Sequence, residues 1–110
     1  MSHQQNKSLI DTLNNCISEC NHCFNSCLDE KDVKMLSKCI KLDIDCAQIC
    51  SLTVSLISRG SDHGRHLLTE CAEVCNKCAD ECEKHAAMGM EHCKTCAEAC
   101  RSCAVECGKV

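Results

Sequence analysis

Several residue types are rare or missing in this chain of 110 residues, and each absence excludes a class of protein. Proline is absent and glycine occurs four times, so the loop-rich framework of a small disulfide-stapled protein is missing. Phe24 is the only aromatic residue and no basic block occurs, so nucleic-acid binding by stacking or phosphate neutralisation has no support. No stretch approaches the roughly 18 apolar residues of a membrane span.

Cysteine, by contrast, is abundant, with 16 copies. A secreted disulfide scaffold is the first expectation for so cysteine-rich a short chain. The N-terminal stretch MSHQQNKSLIDTLNN is polar, however, and lacks a hydrophobic signal segment. We therefore expect a cytoplasmic protein with reduced thiols, and a structural disulfide bundle remains the alternative.

The cysteines follow a repeat. Residues 16–27, 71–82 and 96–107 each have the form C-x3-C-x2-C-x3-C, and residues 39–50 keep this frame with Asp43 in place of the second cysteine. An α-helix advances 100° per residue, so these four positions fall within about 60° of arc. The repeat predicts four helices, each with one sulfur face.

Capping residues and glycines indicate the helix boundaries. Ser8 and Asp11 form a capping-box-like start, and Asp32 is a candidate N-cap. Short connections make neighbouring helices antiparallel. We predict an all-α fold, an antiparallel up-down-up-down four-helix bundle with a cysteine-lined core, preceded by a disordered segment at residues 1–7 and forming a single domain over residues 8–110. The predicted helices run from Ser8 to about Leu28, from Asp32 to about Ser58, from about His63 to His85, and from Gly89 to Gly108.

Helices 1 and 2 carry more aliphatic residues than one small bundle can bury, whereas helices 3 and 4 show mostly Ala, Glu and Lys outside their cysteines. We interpret the excess as a homo-oligomer interface, with tighter packing inside one subunit as the alternative. The apolar residues in question are Val33, Leu36, Ile40, Leu42, Ile44, Ile49 and Leu56 on helix 2, and Ile10, Leu13, Ile17, Phe24 and Leu28 on helix 1.

The sulfur faces point to a soft metal. Thiolates select Cu(I), Zn(II) and iron–sulfur clusters. Straight helices offer pairs of sulfurs three or four residues apart rather than a wrapping loop, which favours Cu(I) over tetrahedral zinc. Sixteen thiolates with about sixteen bridging Cu(I) ions form a nearly neutral core, whereas four Zn(II) ions leave about eight negative charges buried. Bridged zinc or cadmium clusters remain the alternative.

The two ends of the bundle differ. At one end the stripes continue into a hydrophobic plug of Leu9, Leu13, Ile57, Leu67 and Leu68. At the other they continue into thioether and imidazole side chains, which are soft or borderline ligands, and we predict a metal entrance there. A dipole contact is the alternative for His85, and packing is the alternative for the methionines. The residues of the predicted entrance are Met35, His85, Met88, Met90, His92 and Cys93.

Asp43 lies on the cysteine stripe, so helix geometry directs it into the sulfur-lined interior. An unpaired buried carboxylate is strongly unfavourable. We expect Asp43 to be protonated, hydrogen-bonded to a thiol or hydroxyl, or bound to metal. The alternative is a side chain turned outwards to the bundle seam towards a lysine.

The four cysteine-bearing segments, CIKLDIDCAQIC at residues 39–50 and the H-x6-HC run from His85 to Cys93 resemble the bacterial copper storage proteins, specifically their cytosolic branch. The resemblance covers about residues 10–107. It implies tetramers of four-helix bundles that hold many Cu(I) ions inside each subunit, with His85 as an added ligand. The turn before helix 4 is richer in Met than the family pattern. The ligands that the resemblance implies are Cys16, Cys20, Cys23, Cys27, Cys39, Cys46, Cys50, Cys71, Cys75, Cys78, Cys82, Cys93, Cys96, Cys100, Cys103 and Cys107.

The predicted function is non-catalytic storage of roughly one Cu(I) per cysteine. Asp43, Met35, Met90 and His92 are further candidate ligands. An enzyme of the thiol oxidoreductase class is the other hypothesis. It lacks the expected single CxxC motif at a helix start with a lowered thiol pKa.

Overall fold

A computed structural model describes residue 4 and residues 6–110 of the chain. Most of the predicted N-terminal segment, at residues 1–3 and 5, lies outside this described part. The remainder forms four α-helices, and no β-strand occurs among the described residues. The helices are α1 (Lys7–Leu28), α2 (Ser37–Ser58), α3 (Gly64–Ala86) and α4 (Glu91–Gly108), and a short 3₁₀ turn, Val33–Leu36, precedes α2.

The helices form a closed ring. The backbones of α1 and α2, α2 and α3, α3 and α4, and α4 and α1 pack side by side, whereas the diagonal helices meet only through side chains in the core. The described part measures 45 × 18 × 17 Å, the shape of a slender bundle around one axial core. The predicted up-down-up-down four-helix bundle is confirmed. None of the described helices combines the length and the apolar character that a membrane crossing requires.

Two glycines make the turns on either side of α3. Gly60 and Gly89 have φ angles of 67° and 94°, in the left-handed region that side chains with a Cβ rarely adopt. The residue after each glycine donates a backbone hydrogen bond to the carbonyl five residues earlier, Ser61 to Leu56 O (2.9 Å) and Met90 to His85 O (3.3 Å). Both turns are therefore Schellman motifs.

The other two predicted helix starts differ in detail. α1 begins at Lys7 with Asn6 in the N-cap position, so Ser8 does not cap it. Asn6 is buried and lines a cavity of about 400 Å³ with Ile57 and Gly60, and its carbonyl accepts a hydrogen bond from the Ile10 N–H (2.9 Å), so the helix begins earlier than the capping-box pattern predicts. Asp32 accepts a hydrogen bond from the Met35 N–H (3.3 Å), but it caps the 3₁₀ turn rather than α2.

The outer faces of the bundle differ as the sequence predicts. On the α3–α4 side, Arg101 bridges Asp80 (2.6 Å) and Glu83 (2.9 Å) at the surface. Leu52 of α2 and Leu28 of α1 are each 50% exposed. Seven further aliphatic residues of the 3₁₀ turn and α2 are only partly buried, namely Val33, Ile40, Leu42, Ile44, Ile49, Val54 and Leu56.

Candidate metal centre

All sixteen cysteines are free thiols, and all are buried inside the ring of helices. Neighbouring sulfurs on different helices lie 3.6 Å apart at Cys46–Cys75, Cys50–Cys71 and Cys39–Cys82. A disulfide requires about 2.05 Å, so these are contacts between separate thiols. The four predicted sulfur faces therefore meet in one continuous column.

The column is built in layers to which each helix contributes one side chain. In the central layer Cys16 and Cys46 are 3.8 Å apart, and Cys100 lies 3.8 Å from Cys16 and 3.9 Å from Cys46. Cys75 completes this layer through its 3.6 Å contact with Cys46. The 0, 4, 7, 11 spacing produces this stacking because it returns a side chain to the axis once per helical turn.

Groups of four ligand atoms form without any wrapping loop. One such group is Cys50, Cys71, Cys75 and Cys103, drawn from α2, α3 and α4, with all four sulfurs within 4.8 Å of one another. The expectation that straight helices offer only pairs of sulfurs was wrong. It considered each helix by itself, whereas packing brings sulfurs from neighbouring helices together. Geometry therefore does not exclude tetrahedral zinc, and the argument for Cu(I) depends on charge.

Asp43 takes the α2 position in the layer that also contains Cys20, Cys78 and Cys96. It is completely buried. The thiols of Cys78 (3.1 Å) and Cys96 (3.4 Å) donate to Oδ1, as does Cys82 (3.5 Å). The prediction of an inward, thiol-bonded carboxyl is confirmed, and the alternative of a side chain at the seam is wrong. A side chain turned outwards would have left the layer without a contribution from α2, while the other three helices each contribute one thiol.

Burial favours the protonated forms of Asp43 and of thiols such as Cys27 in the absence of metal. Burial is the largest cause that raises the pKa of Asp43 to about 9. Burial likewise raises the pKa of Cys27 to about 12. A column of neutral groups can pack without buried charge. Binding of metal to these groups would release protons.

One end of the column, the histidine end, consists of Cys27, His85, His92 and Met90. His92 Nδ1 lies 3.5 Å from Cys93 Sγ, 3.7 Å from Cys23 Sγ and 3.9 Å from Cys27 Sγ. His85 is only 4% exposed, and Met90 packs against the core. Both histidines therefore lie where the sequence predicts a metal entrance.

Two methionines do not join this end. Met35 is 43% exposed and Met88 is 54% exposed. The prediction for Met35 extended an α-helical stripe back from Cys39. The chain there is a 3₁₀ turn, whose tighter winding turns Met35 outwards and buries Leu36 in its place. Counting Leu36 among the interface residues of helix 2 was therefore wrong, because it is fully buried inside the subunit.

The sequence analysis missed Glu81. Its carboxylate is 7% exposed and its Oε2 lies 3.0 Å from Nε2 of His85. Burial raises the pKa of Glu81, but the hydrogen bonds from His85 and Lys84 outweigh this and hold it below the usual range. The spacing of four residues to His85 was the available signal, because such residues share a helix face.

The opposite end, the aliphatic end, is closed by apolar side chains. Leu9, Leu13, Ile57 and Leu68 are all buried, as predicted. Leu67 is only partly buried, because Leu68 takes the core position. Thr53, which the sequence analysis did not single out, is fully buried with its hydroxyl donating to Ile49 O (2.7 Å). Within the described part of the chain, no imidazole or thioether is buried at this end.

The family of the chain follows from comparison with known proteins. The family model for copper storage proteins matches residues 2–110. The chain belongs to the copper storage protein family. A curated relative, an uncharacterized cysteine-rich protein of Bacillus subtilis, is 39% identical over 69 residues. That match covers 63% of this chain and 64% of the relative, just under two thirds of its length.

Solved structures of this family have the same bundle. Metal-free copper storage protein 3 from Bacillus subtilis is 38% identical, with a TM-score of 0.87 over 94% of this chain and 96% of that chain. A cytosolic copper storage protein from Streptomyces lividans with five coppers is 42% identical, with a TM-score of 0.92 over 97% of this chain and 92% of that one. The same Streptomyces protein has been solved with 10 copper equivalents, with a TM-score of 0.89 over 93% and 80% of the two chains.

Proposed function

We propose that this protein stores many Cu(I) ions inside its four-helix bundle, at roughly one ion per cysteine. The observation that carries the proposal is the continuous column of sixteen buried, unpaired thiols. Soft thiolates are the ligands that Cu(I) prefers. The similar proteins that are described as copper-bound storage proteins, one of them cytosolic, support the same function and a cytoplasmic location.

Charge favours Cu(I) over divalent metals in this column. Each Cu(I) replaces one thiol proton, so the column stays near neutral as it fills. Four Zn(II) ions with sixteen thiolates would leave about eight negative charges among buried side chains, at a large cost. No lysine or arginine is buried among the described residues to offset them. Storage requires no bond-making reaction, and we propose a non-catalytic protein.

The proposed ligands are the sixteen cysteines, with His85 and His92 at the histidine end and Asp43 as the one oxygen donor. Met90 is a weaker candidate ligand at that end, where its thioether packs against the core. Met35 is not proposed as a ligand, because it is 43% exposed.

Anaerobic titration of the reduced protein with Cu(I) against a competing chelator tests this function. We expect tight uptake of more than ten ions per chain and release of about one proton per ion, which a pH indicator records. Tight binding of only one to four ions would contradict storage. A parallel titration with Zn(II) identifies the alternative, since a zinc store would take up about four Zn(II) tightly, whereas a copper store should bind Zn(II) only weakly.

We further propose that α1 and α2 form the interface of a homo-oligomer, a tetramer by resemblance to the family. The half-exposed Leu52 and the partly buried aliphatic residues of α2 support this interface. Leu52→Lys should lower the mass measured by light scattering. Val105→Lys is the matched control, because Val105 lies on α4 and is 59% exposed. Equal masses for both variants and the parent would contradict this interface.

A further inference from the structure

The two histidines at the histidine end are held in different ways. His92 is partly exposed, and its Nδ1 faces three sulfurs directly. His85 is buried, and its Nε2 contacts a carboxylate instead. The second arrangement has the form of a carboxylate–histidine pair, which in metal sites orients the ring for a ligand on its other nitrogen.

Glu81 is fixed on both of its oxygens. Oε2 lies 3.0 Å from Nε2 of His85, one helical turn further along α3. Oε1 lies 3.2 Å from Nζ of Lys84 and 3.8 Å from Nζ of Lys38, which belongs to α2. Two ammonium groups from two helices therefore hold the carboxylate in place, and only its second oxygen is left to accept from the imidazole.

This contact determines which nitrogen of His85 is free. A carboxylate oxygen only accepts hydrogen bonds, so Nε2 must carry the proton and donate it to Glu81. In the neutral ring Nδ1 then carries a lone pair that is free to accept a hydrogen bond or bind a metal ion. Nδ1 is buried and has no hydrogen-bond partner among the described residues. A buried acceptor without a partner is costly, and an incoming soft cation would satisfy it.

His85 is also correctly placed along the chain. It follows Cys82 by three residues on the same face of α3, and Cys82 Sγ lies 3.6 Å from Cys39 Sγ. The unpartnered nitrogen thus belongs to the last turn of the sulfur column. His92, which lies beside the same end on α4, has no carboxylate partner among the described residues, so the pairing is particular to His85.

We propose that Glu81 is a positioning residue for copper exchange: it locks His85 in the Nε2–H tautomer and presents Nδ1 to Cu(I) at the histidine end. The proposal deepens the storage function and rests on it. Glu81 does not touch the metal. Lys38 and Lys84 hold the carboxylate, the carboxylate holds the ring, and the ring provides the last ligand of the column.

The first test needs no copper. In metal-free, ¹⁵N-labelled protein above the pH at which imidazole titrates, long-range ¹H–¹⁵N spectra report the tautomer of each histidine. We expect His85 to be almost entirely Nε2–H in the parent and a mixture of tautomers in Glu81→Gln. Glu73→Gln is the matched control, because Glu73 is an exposed glutamate of the same helix. An unchanged His85 signal in Glu81→Gln would overturn the proposal.

The second test is a double-mutant cycle on Cu(I) affinity. Loss of the carboxylate partner of a ligand histidine typically weakens metal binding about 10- to 100-fold. We expect a loss of about tenfold for the weakest-held Cu(I) in Glu81→Gln, and no further loss when the same change is made in His85→Ala. An equal loss in both backgrounds would mean that Glu81 acts through its lysines, and would overturn the proposal.

A graded variant guards against a folding defect. Glu81→Asp keeps the negative charge but shortens the side chain by one methylene group. If the carboxylate positions the ring, this variant should give tautomer populations and a Cu(I) affinity between those of the parent and Glu81→Gln. Identical behaviour of Glu81→Asp and Glu81→Gln would contradict this. Should the parent protein bind only a few copper ions, the storage function fails, while the tautomer spectra still decide whether Glu81 orients His85.

Discussion

The same four cysteine stripes end in different chemistry at the two ends of the bundle. At the aliphatic end Leu9, Leu13, Ile57 and Leu68 close the column, and none of the described residues adds a buried imidazole there. At the histidine end two imidazoles stand over the last sulfurs, and each has a buried ring nitrogen without a partner among the described residues. One end is built for stability, and the other has the composition of a site through which ions pass.

The largest expected effect is a loss of stability caused by a substitution at the aliphatic end. Leu13 is fully buried there, and Leu13→Ala should lower the free energy of unfolding of the metal-free protein by about 2–5 kcal/mol, because it leaves a cavity. Urea denaturation under reducing conditions measures this. Leu28→Ala, at a position that is 50% exposed, is the control and should cost far less. A similar loss in both variants would show that the end is not a packed plug.

The next effect concerns Asp43, which lies between the two ends. The pKa of Asp43 is raised to about 9 in the folded protein, whereas it is about 4 in the unfolded chain. Between these two pH values the folded protein keeps a proton that the unfolded chain has released. The free energy of unfolding should therefore fall as pH rises between these values, by up to about 1.4 kcal/mol per pH unit.

Denaturation of metal-free protein between pH 5 and 7 measures this slope, since hardly any of the sixteen thiols of the unfolded chain ionise over that range. Asp43→Asn should remove most of the slope, because the amide does not titrate. Asp45→Asn, an exposed neighbour, is the matched control and should keep it. A slope that survives Asp43→Asn would assign the pH dependence to other groups.

A smaller effect is expected on the rate of Cu(I) release, and it compares the two ends directly. The double variant His85→Ala and His92→Ala should change the rate at which loaded protein gives up Cu(I) to a chelator by about tenfold, with little change in capacity. The pair His63→Ala and His66→Ala removes two exposed imidazoles near the aliphatic end and serves as the control. Equal rates for the two pairs would contradict exchange at the histidine end.

The smallest effect is on capacity. Asp43→Ala should change Cu(I) loading by at most about one ion, because it alters one of many ligand positions. Competition titration of parent and variant measures the difference, with Asp45→Ala as the control. Loss of most of the capacity in Asp43→Ala would mean that the carboxyl organises the whole column rather than one layer of it.

Periodicity made the buried stripe predictable, because a helix that repeats a residue type every three or four positions presents one face. It therefore identified the four helices, the buried cysteines and the inward Asp43. The same rule failed at Met35, where the backbone is a 3₁₀ turn and the α-helical angle no longer applies. The capping-box pattern failed at Ser8, because Asn6 holds the N-cap position and α1 begins at Lys7.

The sequence by itself determined which side chains face the axis and which end of the bundle carries the histidines, since both depend only on order and helical pitch. Only the tertiary structure decided which atoms meet. The four-sulfur groups, the thiols donating to Asp43 and the contact from Lys38 on α2 to Glu81 on α3 all join different helices. Such contacts depend on the axial register between helices, which is set by packing across the whole bundle and is not encoded in the spacing along any one of them.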